Sequence, residues 1–316
     1  MKILVTGGAG FIGSNLVHHL LALGGEVLVI DDLSSGEFDY LDPRADFRRI
    51  DVRDEEFLQA AVAYNPQVIV HAAAQSSVLK SIDDPEYTHS VNVEGTKMVA
   101  RAAIEIGVER VVFTSTASVY GDPAPELLPV REDTPTAPLT PYGLSKVEAE
   151  AALAEMLRPA GIDFAIARPS NVYGPRQDAV GEGGVVSRFC HSLASGEQPI
   201  LHSDGRQTRD FIYVGDVVSG LVSMIGGEIY FAGEAGEIGA GVYHLSTGTP
   251  TSIEQLMRAL QRVSGKFEDF GYAPAREGDV HDIVLNPGKA SEVFEWCAGV
   301  DFNTGLTKTW NWFLQN

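Results

Sequence analysis

The sequence Lys2-Ile-Leu-Val-Thr-Gly-Gly-Ala-Gly-Phe-Ile-Gly13 is a short apolar run that passes into a turn with regularly spaced glycines. Such a run is typical of a buried parallel strand. The next residues, Ser14–Leu23, are apolar at helical intervals and end at two glycines. Strand, glycine turn and helix therefore occur in the order that binds a dinucleotide, because the diphosphate would face the amino end of the helix.

A second apolar run, Glu26–Asp31, predicts another strand that ends in a carboxylate. Asp31 lies eighteen residues after Gly13, close to the distance at which an acidic residue binds the adenosine ribose hydroxyls. Asp31 and Asp32 together would repel a 2′-phosphate, so the pair favours NAD over NADP. The alternative is that Asp31 only begins the turn that runs to Gly36.

Further apolar runs alternate with helical stretches of about a dozen residues, which predicts a doubly wound parallel sheet of the α/β class. The predicted strands are Phe47–Val52, Gln67–Ala74, Arg110–Thr114 and Phe164–Arg168. Ligands bind such sheets at the carboxyl ends of the strands. The glycine turn, Asp31, Asp51, Ala72–Ala74 and Thr114–Thr116 all fall at that edge.

Tyr142 and Lys146 lie four residues apart in Pro141-Tyr-Gly-Leu-Ser-Lys146, a spacing that puts both on one face of a helix. A tyrosine hydroxyl ordinarily has a pKa near ~10, and a neighbouring ammonium lowers that pKa. Thr116 follows a predicted strand and could share a proton with a substrate alcohol. The alternative is that Tyr142 is a half-buried packing residue on an ordinary helix.

Motifs along nearly the whole chain resemble the extended short-chain dehydrogenase/reductases, specifically the nucleotide-sugar epimerase/dehydratase group and within it most the UDP-hexose 4-epimerases. These motifs are Thr6–Gly13, His71–Ala74, Asn92–Thr96, Ser115–Gly121, Tyr142-x-x-x-Lys146, Asn171–Pro175, Thr208–Val214 and Arg276–Asp279. The resemblance implies a Rossmann-type NAD-binding domain, residues 1–168, and a smaller α/β substrate lobe, residues 169–316, parts of which thread back into the first domain.

The resemblance also implies the mechanism. Tyr142, as a phenolate, would take the proton from the sugar 4-hydroxyl while hydride leaves C4 for NAD⁺. Thr116 would hold the same oxygen, and Lys146 would anchor the nicotinamide ribose. The 4-keto intermediate would then turn over and take the hydride back on its other face.

The resemblance further implies two sets of binding residues. Those expected at the cofactor are Gly7, Gly10, Phe11, Ile12, Gly13, Asp31, Asp32, Ser34, Ser35, Gly36, Asp51, Val52, Ala72, Ala73, Ala74, Asn92, Thr114, Tyr142, Lys146 and Pro169. Those expected at a UDP-sugar are Ser76, Thr116, Tyr142, Asn171, Val185, Ile200, Arg209, Arg276 and Asp279. Asp279 is alternatively a residue that holds Arg276 in place.

Ala117 and Ser118 follow Thr116 where related dehydratases and decarboxylases carry carboxylates, which favours 4-epimerisation over elimination. Ile283 occupies the position of a bulky tyrosine in enzymes restricted to non-acetylated sugars, so UDP-GlcNAc and UDP-GalNAc are also candidate substrates. Arg168-Pro-Ser-Asn171 departs from the usual epimerase pattern. An enzyme acting on another nucleotide sugar, such as UDP-glucuronate or a dTDP-hexose, and a non-catalytic NAD-sensing protein are the competing interpretations.

Composition limits the partners of this chain of 316 residues. A formal net charge of −20 would repel nucleic acid, so we expect none as a partner. No apolar segment reaches the ~18 residues of a membrane span, and no signal peptide is recognisable. Cys190 and Cys297 are too few for a disulfide framework, which favours the cytoplasm.

His71 and His89 lack metal-ligand spacing, so we expect structural roles for both and no bound metal. Met98–Ile104 and Val147–Leu153 resemble the helices that pair in homodimers of the family. The alternative is that both faces only pack in the core. The glycine-rich stretch Gly226–Gly241 is predicted to be an exposed hairpin or loop.

Overall fold

The structure, a computed structural model, describes residues 1–178, 184–227, 241–275 and 279–315. Its helices are α1 (Phe11–Ala22), α2 (Glu55–Tyr64), α3 (Val78–Asp83), α4 (Pro85–His89), α5 (Gly95–Ile106), α6 (Pro141–Ala160), α7 (Val185–Ser195), α8 (Val214–Gly226), α9 (Ile253–Ser264), α10 (Gly288–Phe294) and α11 (Phe302–Phe313). Its strands are β1 (Lys2–Thr6), β2 (Glu26–Asp31), β3 (Asp46–Arg49), β4 (Val68–His71), β5 (Arg110–Thr114), β6 (Asp163–Pro169), β7 (Asn171–Tyr173), β8 (Ile200–His202), β9 (Thr208–Tyr213), β10 (Val242–Leu245), β11 (Pro250–Ser252), β12 (Gly271–Ala273) and β13 (Asp282–Ile283).

Seven parallel strands form the main sheet, in the order β10-β6-β5-β4-β1-β2-β3. Apolar side chains cover both of its faces: α1 and α8 share a core with one face, and α2, α5 and α6 share a core with the other. Both faces must be covered because parallel strands of this kind are apolar on both sides. The prediction of a doubly wound α/β sheet is confirmed.

Two predicted strands are shorter than their apolar runs. Strand β4 ends at His71, not at Ala74, because the chain then turns toward the glycine loop: Ala72 N donates to Thr6 O and Ala73 N donates to Thr6 Oγ1. Strand β3 ends at Arg49, so Asp51 lies in the turn beyond it. Both differences place predicted cofactor residues in loops at the edge of the sheet.

The second half of the chain builds a smaller lobe. Strand β9 pairs with β11, β13 and β7, while β8 pairs with β12. Helices α7, α9 and α11 share one apolar cluster beside these strands. Strand β10 returns to the main sheet and pairs with β6. The predicted hairpin or loop at Gly226–Gly241 lies, except at its ends, outside the described residues.

Asp210 on β9 is a fully buried carboxylate that joins three segments of this lobe. It accepts hydrogen bonds from Ser170 Oγ, from Thr247 through both its N–H and its hydroxyl, and from the N–H groups of Gly248 and Leu285. Burial raises the pKa of Asp210, and the donors from Thr247, Gly248 and Leu285 oppose that shift. A buried acceptor with this many donors stabilises the arrangement because each donor would otherwise be unpaired.

We expect Asp210→Ala to lower the free energy of unfolding by about 3 kcal/mol, because several buried donors lose their acceptor at once. Asp204→Ala is the matched control, since the Asp204 side chain is 63% exposed. Urea denaturation of both variants measures the difference. Equal stability of the two variants would show that Asp210 does not hold the lobe together.

Candidate active site

A cavity of about 840 Å³ lies at the carboxyl edge of the main sheet, where the sequence predicts the ligand. The predicted cofactor residues that line it are Gly7, Gly10, Phe11, Ile12, Gly13, Asp31, Asp32, Ser34, Ser35, Gly36, Asp51, Val52, Ala72, Ala73, Ala74 and Tyr142. Ser76 and Asn171, predicted at the substrate, line it as well. The structure therefore brings together residues that are widely separated in the sequence.

The glycine turn is shaped by contacts within the protein. Gly7 has a φ of +70°, and a Cβ there would lie 2.5 Å from the backbone N of Ala73. A Cβ on Gly13 would lie 2.1 Å from the carbonyl oxygen of Gly7. A larger residue at Gly7 would push the turn away from the loop after β4, and one at Gly13 would force the turn itself open, so both positions require glycine.

The amino end of α1 opens onto this cavity. Gly10 caps the helix without a side-chain hydrogen bond, so the N–H groups of the first turn stay available for a ligand. Such N–H groups and the helix dipole suit a diphosphate. The residues present thus fit the dinucleotide that the sequence predicts, with the diphosphate at Phe11–Gly13.

Asp31 also organises the loop next to the turn. Its two carboxylate oxygens accept hydrogen bonds from Ala9 N at 2.9 Å and from Leu33 N at 2.8 Å. Burial raises the pKa of Asp31, and these two donors oppose the shift. Each oxygen retains a further lone pair, so Asp31 can both hold the turn and accept a ribose hydroxyl.

Tyr142 and Lys146 occupy the amino-terminal half of α6, where Thr140 caps the helix by accepting from Gly143 N. Tyr142 lines the cavity, and Thr116 is the neighbouring side chain that favours its ionised form. Burial raises the pKa of Tyr142, and the Thr116 side chain opposes that shift. The structure thus brings the predicted tyrosine and threonine together.

Lys146 is 2% exposed and is more deeply buried than Tyr142. Its Nζ donates to the carbonyl of Thr114 at 3.0 Å and sits 4.7 Å from the ring centroid of Phe113. Burial lowers the pKa of Lys146 to about 8, while the charge of Glu150 raises it. The ammonium is therefore maintained largely by Glu150, one helical turn further along α6.

Glu150 lies outside the sequence motifs and belongs to a buried network. Its carboxylate accepts from Ser115 Oγ and from two nitrogens of Arg168, one of them Nε at 2.9 Å. Arg168 also donates to Tyr120 OH at 2.6 Å, and that hydroxyl lies 2.6 Å from His244 Nε2. Burial alone lowers the pKa of Arg168, but Glu150 raises it above its ordinary value. The network joins α6 to the segment that carries Thr116.

Other predicted cofactor residues support the site from behind the cavity wall. Asn92 is 1% exposed, accepts from Gln75 N at 2.8 Å, and donates to Gln75 O and to Ser145 Oγ. It thereby ties the loop after β4 to α6. Thr114 and Pro169 end their strands near the cavity without lining it.

Apart from Asn171, the predicted substrate residues of the second lobe that the structure describes lie outside the cavity lining. Arg209 donates to Asp279 Oδ1 at 2.6 Å and is held by two further backbone carbonyls. Asp279 therefore fixes Arg209. Val185 begins α7 and Ile200 begins β8, where Ile200 is 43% exposed. The predicted phosphate ligand Arg276 lies outside the described residues.

Acidic side chains predominate among the charged residues that line the cavity. Five acidic side chains line it: Asp31, Asp32, Glu37, Asp51 and Asp178. Among the described lining residues the cations are Lys80 and Arg176, neither of which belongs to the predicted sets. Arg176 directly follows the Asn171–Pro175 motif, so its position was the signal that could have identified it.

The histidines singled out in the sequence take part in protein contacts. His71 is fully buried between Thr6 Oγ1 at 2.7 Å and Thr96 Oγ1 at 3.0 Å, and burial lowers its pKa to about 3. His89 lies 3.3 Å from Glu148. Within the four described ranges no three His, Cys, Asp or Glu side chains are grouped to hold a metal, and no helix has the length and apolar character to cross a membrane.

A Rossmann-type sheet, a glycine turn opening onto a dinucleotide-sized cavity, and a tyrosine and lysine on the adjoining helix define the class: an NAD-dependent enzyme of the short-chain dehydrogenase/reductase type. Residues 3–233 match the model of the NAD dependent epimerase/dehydratase family. The chain belongs to this family, which confirms the predicted NAD cofactor.

Several UDP-glucose 4-epimerases are similar to this chain over nearly their whole length. UDP-glucose 4-epimerase of Mycolicibacterium smegmatis is 39% identical over 99% of this chain and 98% of the relative. The crystal structure of UDP-glucose 4-epimerase from Thermotoga maritima with UDP-glucose is 35% identical, covers 100% of this chain and 99% of that one, and superposes with a TM-score of 0.93. UDP-glucose 4-epimerase from Thermus thermophilus, in complex with NAD, is 35% identical over 99% of both chains, with a TM-score of 0.90.

We expect Glu150→Gln to shift the alkaline limb of the turnover–pH profile to lower pH by about one unit, the effect of removing one nearby charge. The sign follows from Lys146: its pKa is lowered to about 8 by burial and raised by Glu150, so loss of the carboxylate lowers it further. The measurement is the pH profile of kcat with NAD bound.

The matched control for this pH profile is Glu148→Gln. Glu148 lies on the same helix but pairs with His89 on the surface. Its substitution should leave the alkaline limb in place. If Glu150→Gln shows the wild-type limb, then Lys146 does not depend on Glu150 for its charge.

Proposed function

We propose that this protein catalyses the NAD-dependent 4-epimerisation of UDP-hexoses, interconverting UDP-glucose and UDP-galactose through a 4-keto intermediate. The observation that carries the proposal is the position of Tyr142 in the cofactor cavity and beside Thr116, with no carboxylate in the two positions after Thr116. Full-length similarity to UDP-glucose 4-epimerases supports the same reaction.

In this proposal Tyr142 removes the proton of the sugar 4-hydroxyl, and Thr116 holds the oxygen from which the proton leaves. Burial raises the pKa of Tyr142, and the Thr116 side chain opposes that rise, so Thr116 stabilises the phenolate that the reaction requires. Lys146, kept charged by Glu150, would hold the nicotinamide ribose. When bound, NAD would supply the acceptor for the C4 hydride and the source from which C4 regains it. The same tyrosine then gives its proton back to the product alcohol.

The second lobe would hold the nucleotide diphosphate. Asn171 lines the cavity, and Arg209 is oriented by Asp279 at 2.6 Å. A guanidinium suits a diphosphate because it donates parallel hydrogen bonds. Arg209 is 9% exposed, so its charge acts in a weakly hydrated place. Arg276, Val185 and Ile200 are assigned to the substrate on the resemblance alone.

Elimination of water is a poorer reaction for this site. Ala117 and Ser118 occupy the positions where a carboxylate pair would be needed. Glu150 cannot replace that pair because Arg168 and Ser115 already occupy its carboxylate. Epimerisation of UDP-glucuronate or of a dTDP-hexose is the competing reaction, and a non-catalytic NAD sensor is the competing class of protein. Assays with each nucleotide sugar distinguish these functions.

We extend the proposal to sugars with a 2-acetamido group. Ile283 is 6% exposed and packs in a cluster with Ala117, Val119 and Leu285, directly behind the segment that carries Thr116. An isoleucine that packs into this cluster leaves more free space in front of it than the bulky tyrosine found in enzymes restricted to non-acetylated sugars. UDP-GalNAc is therefore included as a candidate substrate.

We also propose a cytoplasmic homodimer formed by α5 and α6. Ile104 on α5 and Leu144 on α6 are 41% and 49% exposed, so these helices present apolar surface. Cys190 is buried and Cys297 is exposed, both without a disulfide, as suits a reducing compartment.

Ile104→Glu should shift the mass measured by light scattering from dimer toward monomer, and an unchanged mass would place the contact elsewhere.

We expect the purified protein to convert UDP-galactose and UDP-GalNAc to their 4-epimers without added NAD. NMR of the sugar anomeric protons follows both reactions, and their relative rates measure the tolerance for the acetamido group. No conversion of either substrate, with NAD supplied, would overturn the UDP-hexose proposal. Conversion of UDP-glucuronate or dTDP-glucose instead would assign a different substrate.

In the same assay Tyr142→Phe should lower kcat by at least about 100-fold, because a general base is lost. Tyr272→Phe is the control, since Tyr272 is 58% exposed on β12 and does not line the cofactor cavity. NAD content of both variants shows whether the site is otherwise intact. Wild-type turnover by Tyr142→Phe would remove the tyrosine from the reaction.

A further inference from the structure

Arg176 comes from the substrate half of the chain but lines the cofactor cavity. The segment that carries it is fixed to the first turn of α1: Asn15 Nδ2 donates to Phe11 O at 2.9 Å and to Pro175 O at 3.2 Å. One side chain of α1 therefore holds Arg176 next to the helix end where the glycine turn opens.

The backbone of Arg176 is in the left-handed region, with a φ of +72°. This conformation is unfavourable for a residue with a side chain and persists only where the surroundings enforce it. Residues held in this way concentrate at ligand sites. The position would accommodate glycine with less strain, yet it carries a long cationic side chain.

The guanidinium of Arg176 has too few protein acceptors. Nη2 donates to His18 Nε2 at 3.0 Å, and Nη1 is buried with no partner in the described part of the chain. Because a guanidinium only donates, His18 must accept through Nε2 and carry its proton on Nδ1, which lies 3.4 Å from Asp42 Oδ2. His18 Nε2 also lies 3.1 Å from Tyr40 O. If Nε2 carried the proton and donated it to this carbonyl, Arg176 would lose His18 as an acceptor as well.

The cavity needs positive charge near the glycine turn to bind an anionic diphosphate. Five carboxylates line it, and the described lining residues include two cations, Lys80 and Arg176. The helix end offers partial positive charge to a diphosphate, but only about half an elementary charge. A dinucleotide diphosphate carries two negative charges, so a further cation near the turn would offset them.

We propose that Arg176 donates hydrogen bonds to the diphosphate of bound NAD and so fastens the cofactor from the second lobe, with His18 and Asp42 orienting its guanidinium. The ligand chemistry is a phosphate anion, which a guanidinium matches with parallel donors. The role is retention of NAD, and it does not depend on which sugar the protein epimerises.

The test is the rate at which the NAD-loaded protein exchanges its cofactor for radiolabelled NAD, measured without substrate. Arg176→Gln should exchange about 10–100-fold faster than wild type, the effect of one charge-assisted hydrogen bond. The variant Arg176→Lys should exchange NAD at a rate between those of wild type and Arg176→Gln. Arg44→Gln is the matched control, because Arg44 pairs with the same Asp42 but does not line the cavity.

The variant Arg176→Gly distinguishes the effect of losing the guanidinium charge from the effect of disturbing the backbone conformation. Glycine adopts the left-handed conformation readily, so this variant keeps the turn and should fold, which circular dichroism would verify. Fast exchange by both Arg176→Gly and Arg176→Gln supports a contact with the diphosphate. A wild-type rate for Arg176→Gly, or for Arg176→Gln, would overturn the proposal.

Discussion

The buried ion pair between Glu150 and Arg168 is the interaction on which the site depends. It joins α6 to β6, and its two side chains are 8% and 6% exposed. Removing either partner would leave an uncompensated charge in the interior, which is strongly unfavourable. Tyr142 and Lys146 lie about two turns and one turn before Glu150 on α6, so the pair sets where that helix presents them.

The Glu150–Arg168 pair also helps to position Thr116, the other candidate catalytic residue, through the residue that precedes it. Ser115 donates to Glu150, and Thr116 is the next residue. Helix α6, strand β6 and the segment after β5 therefore meet at one carboxylate. This arrangement lets a single buried carboxylate position the two proposed catalytic side chains, Tyr142 and Thr116, and favour the charged form of Lys146. The polar network is fully inside the protein, where electrostatic interactions are stronger than in water.

Binding two anionic ligands to a chain of net charge −20 requires locally arranged positive groups. In the proposed binding mode, the main contribution at the cofactor comes from backbone N–H groups at the amino end of α1, which carry no formal charge and so do not appear in the net charge. At the second lobe the proposed contribution comes from Arg209, which Asp279 orients. The surface charge of the protein and the charge at its ligands are thus set by different features.

Much of the fold could be predicted from the sequence because its signals are local. Apolar runs, the glycine turn and the acid at Asp31 each depend on neighbouring residues. The ends of the elements were less predictable: β4 stops at His71 since Ala72 and Ala73 bond to Thr6, a residue 66 and 67 positions earlier. Periodicity carries no information about such a distant partner.

The sequence by itself determined the order of strand, turn and helix, the parallel α/β class, and the four-residue spacing of Tyr142 and Lys146. Only the tertiary structure decided which polar groups meet. Glu150 and Arg168 are 18 residues apart, Arg209 and Asp279 are 70 apart, and Arg176 and His18 are 158 apart. Secondary structure follows from local backbone and side-chain preferences, whereas a buried charge needs a partner that only the packed chain can bring to it.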